Sequence, residues 1–538
     1  MPRGIRLFLT EDLQLRSLGD GALVIGHLFD SAGRPAPDQL PDSLFDWERA
    51  SIVDRYWGNY LAMIAGVSRA RLLRDPSGGL AAYHAMVGET LYLTSAPHLL
   101  IDCGVLACDL DWEVIARSLS NHDSRGSGTA LRGIVELMPG WAMTVGEDAV
   151  PACPIWNPWV SASRERHCDD ASILDEALTT TLAAWGRTTR RPLIEISGGL
   201  DSAIVAAGVA AAAPDASLIT FAPAPGDPDE TNYARALAEH LSLPLEIVRP
   251  QVNDVDLARS IGRDLPRPNA RAFVQAADLM SLRYARAIGA DAFFSGGGGD
   301  DVFCYLRTIL PAIDRLQAEG VRAMLATCAD IAAVNHATVW DAYWKVARRL
   351  VRGSGRGPRE RPGSLHISAQ PGVNQTVATT DLSVPPGKAA HVEAVLSIHN
   401  YLEGHRRAAF APIMSPLLSQ PIVECCLSIP TWSWCANGQN RAVARQAFAG
   451  RLPPLLLQRR SKGSFDGFCA QLFDRRRGLI REMLLDGHLA RQGLIDRDRV
   501  DQALREPFPS SEVSGRILAL VDAESWVGAW VDRPTQRG

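Results

Sequence analysis

Two aspartates, each set directly behind a run of glycines, are the residues of this chain best suited to chemistry. Asp201 closes the string LIEISGGLDS, residues 193–202, and Asp300 follows four glycines in FFSGGGGDDVFCY, residues 293–305. In the first string Ile194 and Ile196 suit a buried strand, Gly198 and Gly199 permit positive φ and close backbone approach, and the alanine-rich run after Asp201 reads as helix. Such a turn aims unpaired N–H groups and the positive end of a helix dipole outward. Ile196, Ser197, Gly198, Gly199, Leu200, Asp201 and Ser202 are therefore a candidate anion cradle. A carboxylate beside an anion site makes sense when a divalent cation accompanies the anion. The second loop repeats the arrangement, with Ser295, Gly296 and Gly297 ahead of Asp300, so both aspartates are candidate metal ligands. Either alone reads equally well as a helix cap. Capping explains less readily why both stand behind a glycine turn at a strand end.

Those turns need strands to carry them. From Pro192 to Phe303 the pattern is strand then helix, repeated: LIEIS, SLITFAP, LEIVRP and DAFFS alternate with helical runs. That alternation predicts a parallel sheet flanked by helices, with ligands at the carboxyl ends of its strands, where Ser197 and Ser295 both fall. Residues 1 to about 155 read differently, as a β-rich unit of short apolar or alternating runs (ALVIGHLF, NYLAMIAG, ARLLRD, ETLYLTS, WAMTV). A Pro/Trp-rich join puts the boundary between 155 and 170, and the 538 residues exceed one ordinary core. The expectation is an α/β protein of two domains, 1–160 and 161–538.

Bulk composition narrows the function classes. With 46% hydrophobic and 21% charged residues and a formal net charge of -5, the chain reads as globular, with no nucleic-acid partner. No run of about 18 apolar residues suggests a membrane span. Thr10, Glu11 and Asp12 interrupt the first apolar run, unlike a secretory signal, so a cytoplasmic location is expected. The ten cysteines include no CxxC pair and read as free thiols rather than a zinc site.

The string SGGLDS lacks the P-loop lysine and the spacing of dinucleotide folds. It resembles the pyrophosphate loop of the asparagine synthetase superfamily, whose members cleave ATP to AMP and pyrophosphate and so activate carboxylates as acyl-adenylates. The second loop resembles that superfamily's "SGxGxDE" segment, with Ser295, Gly296, Gly298 and Asp300 in matching places and Asp301 where Glu is usual. The resemblance implies ATP as cofactor, with Mg²⁺ held on its pyrophosphate by Asp201 and Asp300. RLPPLLLQRRSKGSF, residues 451–465, is similar to an "R-x-K-x-x-F" context, which implies that Lys462 neutralises charge during adenylation and amide formation. Arg459 and Arg460 read as surface residues or phosphate helpers. Trp57 to His84 resembles the glutaminase half of asparagine synthetases, implying a degenerate Ntn-type sandwich. In that family a cysteine follows the initiator Met; here Pro2 stands there, so release of ammonia from glutamine is not expected.

Two further departures bear on the acceptor. Relatives place a Glu or Tyr at the third position of the second loop to assist the incoming amine, and this chain has Gly297. The base then comes from elsewhere, with Glu403 and His405 in NYLEGHRR as candidates against an ordinary solvated helix face, or a neutral amine is simply well placed. Ala411 to Trp434 lacks the family's Arg/Asp pairing for a free amino acid and resembles the "SPLLSQP-x-VE" segment of lasso-peptide cyclases. Those relatives close a ring between a peptide's N-terminal amine and an Asp or Glu side chain. The resemblance thus implies an ATP-dependent amide ligase acting on a precursor peptide, partnered by a leader-binding protein and a leader peptidase. An asparagine synthetase-like enzyme using free ammonia and a non-catalytic adenylate-binding scaffold are the alternatives. Arg348 to Ser364, with six arginines among Gly and Pro, reads as a disordered surface loop or as a lid or dock for an acidic peptide.

Overall fold

The computed structural model describes residues 4–8, 15–17, 22–37, 51–65, 69–120, 125–146, 149–164, 169–223, 230–269, 271–352, 384–459, 465–507 and 509–533. The short apolar runs of the N-terminal part each form a strand, as expected. A six-stranded antiparallel sheet runs in the order Val150–Pro154, Trp141–Gly146, Arg69–Arg74, Tyr56–Ala65, Ala22–Asp30, Leu15–Ser17. It faces a four-stranded sheet ordered Gly4–Phe8, Thr90–Thr94, Tyr83–Val87, Val135–Glu136. Leu61 and Leu72 of the first sheet meet Leu91 and Leu93 of the second in one buried cluster, as period-2 alternation demands.

The C-terminal part carries five parallel strands in the order Leu245–Val248, Ser217–Phe221, Pro192–Glu195, Ala292–Ser295, Ile413–Met414. Leu193, Ile194, Leu218, Ile219, Phe293 and Phe294 are each 0% exposed, the signature of a sheet covered on both faces. Ile194, Leu218 and Phe294 pack with the helices Asp170–Gly186, Leu200–Ala210 and Thr231–Leu241, whereas Leu193, Ile219 and Phe293 pack with Ala285 of Gln275–Ile288. The chain enters at the central strand Pro192–Glu195, steps outward to one edge, then crosses to the other side at Ala292–Ser295. The crevice at this reversal, outside the carboxyl ends of those two strands, is where such sheets hold ligands. The fifth strand, Ile413–Met414, does not appear in the sequence reading.

The two parts share apolar clusters. Tyr83, Ile115 and Leu131 pack with Phe473, Ile480 and Trp526 of the C-terminal helices, and Phe29 and Trp57 pack with Trp185, whose ring lies 5.1 Å from that of Phe29. The nine described cysteines are free, and Cys425 and Cys426 are buried. Among the described residues no helix is long and apolar enough to cross a membrane.

One contact across the junction makes stability depend on pH. His399 is buried, its Nδ1 3.1 Å from the Leu396 carbonyl oxygen and its Nε2 3.1 Å from that of Ser77. Burial, reinforced by the Arg125 charge, pushes its pKa down from 6.5 to about 4. The unfolded chain therefore binds this proton from its ordinary pKa downward and the native state only near the lowered one. Stability contributed by neutral His399 is complete above pH 6.5 and lost as pH falls toward 4. At about 1.4 kcal/mol per pKa unit, the loss is on the order of 3 kcal/mol. Asp75 and Asp314, whose buried carboxyls are pushed up to about 6, act in the opposite sense. The reading is thus a difference: in urea unfolding between about pH 7 and 5, wild type should lose more stability than His399→Gln, and equal losses would refute the assignment.

Candidate functional site

The first loop leaves its strand at Ile196, whose N–H still donates to the Ile219 carbonyl at 2.9 Å. Gly198 takes φ +68°, and an added Cβ there would lie 2.9 Å from both Arg459 Nη1 and Tyr233 Cβ, so only glycine fits. Gly199 then caps the helix Leu200–Ala210 with no side-chain cap bond. Ser202 ties the turn: its Oγ accepts from Ser197 N at 3.1 Å and donates to the Gly199 carbonyl at 3.3 Å. Arg459 corrects the surface reading. It is 7% exposed, donates to the Gly198 carbonyl at 2.6 Å, pairs with Glu230 and stacks over Tyr233, 4.3 Å from the ring centroid. It props the loop from behind.

The second loop is pressed against the first. A Cβ added at Gly296 would lie 2.6 Å from Ser202 N, and one added at Gly299 would lie 2.6 Å from Asp201 Cγ. Ser295 Oγ accepts from Gly297 N at 3.0 Å, and Gly298 takes φ +83°. This interlock brings the two carboxylates together: Asp201 Oδ2 and Asp300 Oδ1 stand 2.7 and 2.9 Å from the same atom, Arg441 Nη1. Arg441 is 6% exposed, holds a left-handed φ of 52°, and lies 5.1 Å from the centroid of the Tyr305 ring. Two carboxylates that already share one positive centre suit a small divalent cation of the kind that takes few protein ligands, and Asp201 and Asp300 would hold it. Nothing in the string GQNRAV distinguishes Arg441 from the other arginines, and sequence reasoning missed it.

The two candidate bases lie in a turn between short 3₁₀ segments, and neither occupies a solvated helix face. Glu403 accepts from Tyr83 OH at 2.6 Å and from Arg125 Nη2 at 2.8 Å, which ties it to the N-terminal part. His405 Nδ1 sits 3.5 Å from Asp278 Oδ1, and burial lowers its pKa. The structure brings neither to Arg441 or the aspartates through any described contact. Around Gly297 an added Cβ would find Ser295 Oγ at 3.3 Å and Ser415 Oγ at 3.8 Å, so Ser415 is a neighbour that the sequence did not flag. Within SPLLSQP-x-VE, Gln420 and Glu424 face the N-terminal part, bonding to the Val53 carbonyl at 2.9 Å and to Trp156 Nε1 at 2.8 Å. Lys462 and Arg460 lie outside the described residues, as do Pro2 and residues 353–364 of the arginine-rich segment. The flanking Phe465 lies 6.5 Å, ring to ring, from Phe221 at a sheet strand's carboxyl end.

A family model described as asparagine synthase matches residues 174–528. The chain belongs to the asparagine synthase family. No curated protein matches it. The matched span holds both glycine loops, Arg441 and Lys462, and begins inside the helix Asp170–Gly186, beyond the N-terminal sheets. Family membership makes the chain an ATP-using ligase of the amide-forming class, and the paired aspartates at the switch point are suited to that chemistry.

Proposed function

We propose that this protein is an AMP- and pyrophosphate-forming macrolactam synthetase of the lasso-peptide type. It would activate an Asp or Glu side chain of a peptide and close an isopeptide ring with the peptide's own N-terminal amine. The observation that carries this reading is the space at Gly297: where relatives hold a side chain that assists a small amine, this loop presents a glycine bordered by two hydroxyls. A bulky, substrate-borne amine needs that room. Proximity within one peptide can supply much of the rate that a dedicated base would otherwise give.

The steps draw on the two glycine loops and on Lys462 in the role that the resemblance implies. A carboxylate oxygen attacks the α-phosphorus of ATP, the bond to the pyrophosphate oxygen breaks, and an acyl-adenylate forms. Asp201 and Asp300 would hold the metal that accompanies the pyrophosphate, and the glycine turn ahead of the helix Leu200–Ala210 would bind the pyrophosphate oxygens. Mg²⁺, when bound, neutralises charge on the leaving pyrophosphate. The amine then attacks the acyl carbon, Lys462 stabilises the tetrahedral oxyanion, AMP departs, and the amine's proton passes to solvent or to AMP. The N-terminal sheets, in this reading an Ntn-type remnant without hydrolytic role, help wall the site. A leader-binding protein and a leader peptidase would deliver the trimmed peptide in the cytoplasm.

The test uses a panel of linear peptides with a free N-terminus and a single Asp or Glu at successive positions. Pyrophosphate release with one of them, and loss of one water from its mass, is the expected outcome. Release with aspartate and ammonium instead identifies an ammonia-using synthetase, and no release with either the peptides or aspartate identifies a scaffold. Both results overturn the proposal.

A further inference from the structure

A cavity of about 80 Å³ lies between the N-terminal part and the C-terminal sheet domain, apart from the aspartate pair. Tyr83, Arg117 and Arg125 line it from one side, and Arg267, Asn269 and Glu403 from the other. Its walls carry an excess of positive charge. Glu136, 0% exposed, receives Arg74 Nη1 at 2.8 Å, Arg125 Nη2 at 2.7 Å and Arg267 Nη2 at 2.9 Å, so its lone pairs are spent. Glu403 is spent on Arg125 and Tyr83. Three guanidinium groups, those of Arg117, Arg125 and Arg267, thus line a cavity whose neighbouring carboxylates, Glu136 and Glu403, are engaged by Arg125 and Arg267 and, from outside it, by Arg74. Arg117 Nε and Arg267 Nε are buried donors with no partner among those residues, and Asn269 Oδ1 is a buried acceptor in the same condition.

Buried donor and acceptor atoms without partners are costly unless a ligand satisfies them. The ligand that matches a guanidinium fork is a carboxylate, bound through paired N–H···O contacts. A water takes roughly 10–15 Å³ of such a volume, so about 80 Å³ holds several waters and has room for a carboxylate together with the side chain that carries it. Its position matters as well. The turn Ile398–Tyr401 borders the cavity through Tyr401 and touches the second glycine loop through Ile398, 3.3 Å from where a Cβ on Gly298 would lie. An occupant would therefore sit one turn away from the reaction loop.

We propose that this cavity is a second carboxylate-binding site, distinct from the position of the activated carboxyl. Resting on the macrolactam reading, we assign its occupant to an acidic side chain or carboxyl terminus of the same peptide. The site would hold one end of the substrate while another of its carboxylates is adenylated.

The test reads binding without ATP. Thermal shift and calorimetric titration of the full-length protein would use sodium succinate against sodium chloride of equal ionic strength. A peptide carrying one Glu, with its C-terminus amidated, would be compared with the same peptide carrying Gln. The expected result is saturable binding of succinate and of the Glu peptide, competition between them, and weakening of both by tenfold or more in Arg117→Gln. Arg117→Lys, which keeps the charge but not the fork, should fall between. Equal binding of Glu and Gln peptides, or unchanged binding in both Arg117 variants, overturns the site. Succinate binding with which no acidic peptide competes keeps the carboxylate site and overturns its assignment to the substrate. A protein that binds the Glu peptide as expected yet never releases pyrophosphate refutes the ligase reading and leaves the cavity standing.

Discussion

Asp201→Asn and Asp300→Asn proteins are expected to lose ATP–pyrophosphate exchange by about a thousandfold each. A cation in this position is worth several kcal/mol of charge stabilisation, and each 1.36 kcal/mol is a decade in rate. Asparagine keeps the shape of the site, so the loss reports charge rather than collapse. Alanine variants would add the cost of leaving buried Arg441 Nη1 short of a hydrogen-bond acceptor, which asparagine still supplies. Because the two oxygens converge on one centre, at 2.7 and 2.9 Å from Arg441 Nη1, their effects should not add. The double variant should be scarcely worse than either single one, as expected of groups acting as a unit. Arg441→Gln carries the opposite expectation for binding. It removes the cation already held between the carboxylates, so Mn²⁺ titrated in the absence of nucleotide should bind more tightly than to wild type. Single-aspartate variants that exchange at the parental rate would sink the shared cation site, and so would a strictly additive double variant.

How much of this was legible in the sequence depends on how local each cause is. Glycine requirements are local, so both loops could be read from SGGLDS and SGGGGDD, and alternation of strand and helix placed them at the same edge of one sheet. The fifth strand had no such signal: Ile413–Met414 is two residues long, follows a proline, and exists through its pairing with Phe293 and Phe294 rather than through its own propensity. Arg459 looked like surface because it precedes a second arginine in a polar string. It is buried because Gly198, Glu230 and Tyr233 converge on it from two other segments. Glu403 looked solvated for the same reason, and Tyr83, 320 positions away, turned it inward. Arg441 lies 240 positions from Asp201 and 141 from Asp300, and no local pattern encodes a contact of that kind.

The interlock of the two loops gives the other large effect. Gly299 begins the short helix Gly299–Val302, and its φ is not in the left-handed region, so alanine there meets no backbone objection and would ordinarily favour the helix by up to about 1 kcal/mol. Space forbids it. The added methyl would lie 2.6 Å from Asp201 Cγ and 3.0 Å from Leu417 Cδ1, so either the carboxylate or the loop must move. Overpacking of this kind costs about 1–3 kcal/mol of stability, but the larger cost falls on chemistry, since about 1 Å of misplacement can cost a hundredfold in rate. Gly299→Ala is therefore expected to keep its fold by circular dichroism and lose pyrophosphate exchange by about a hundredfold or more. Gly515→Ala, in the exposed face of Ser511–Val531 where an added Cβ meets nothing within 4 Å, supplies the contrast. There the same substitution should raise the unfolding free energy by about 0.5–1 kcal/mol and leave exchange at the parental rate. If Gly299→Ala behaved like Gly515→Ala, the approach of the loops would not be what sets the aspartates, and the site would need another origin.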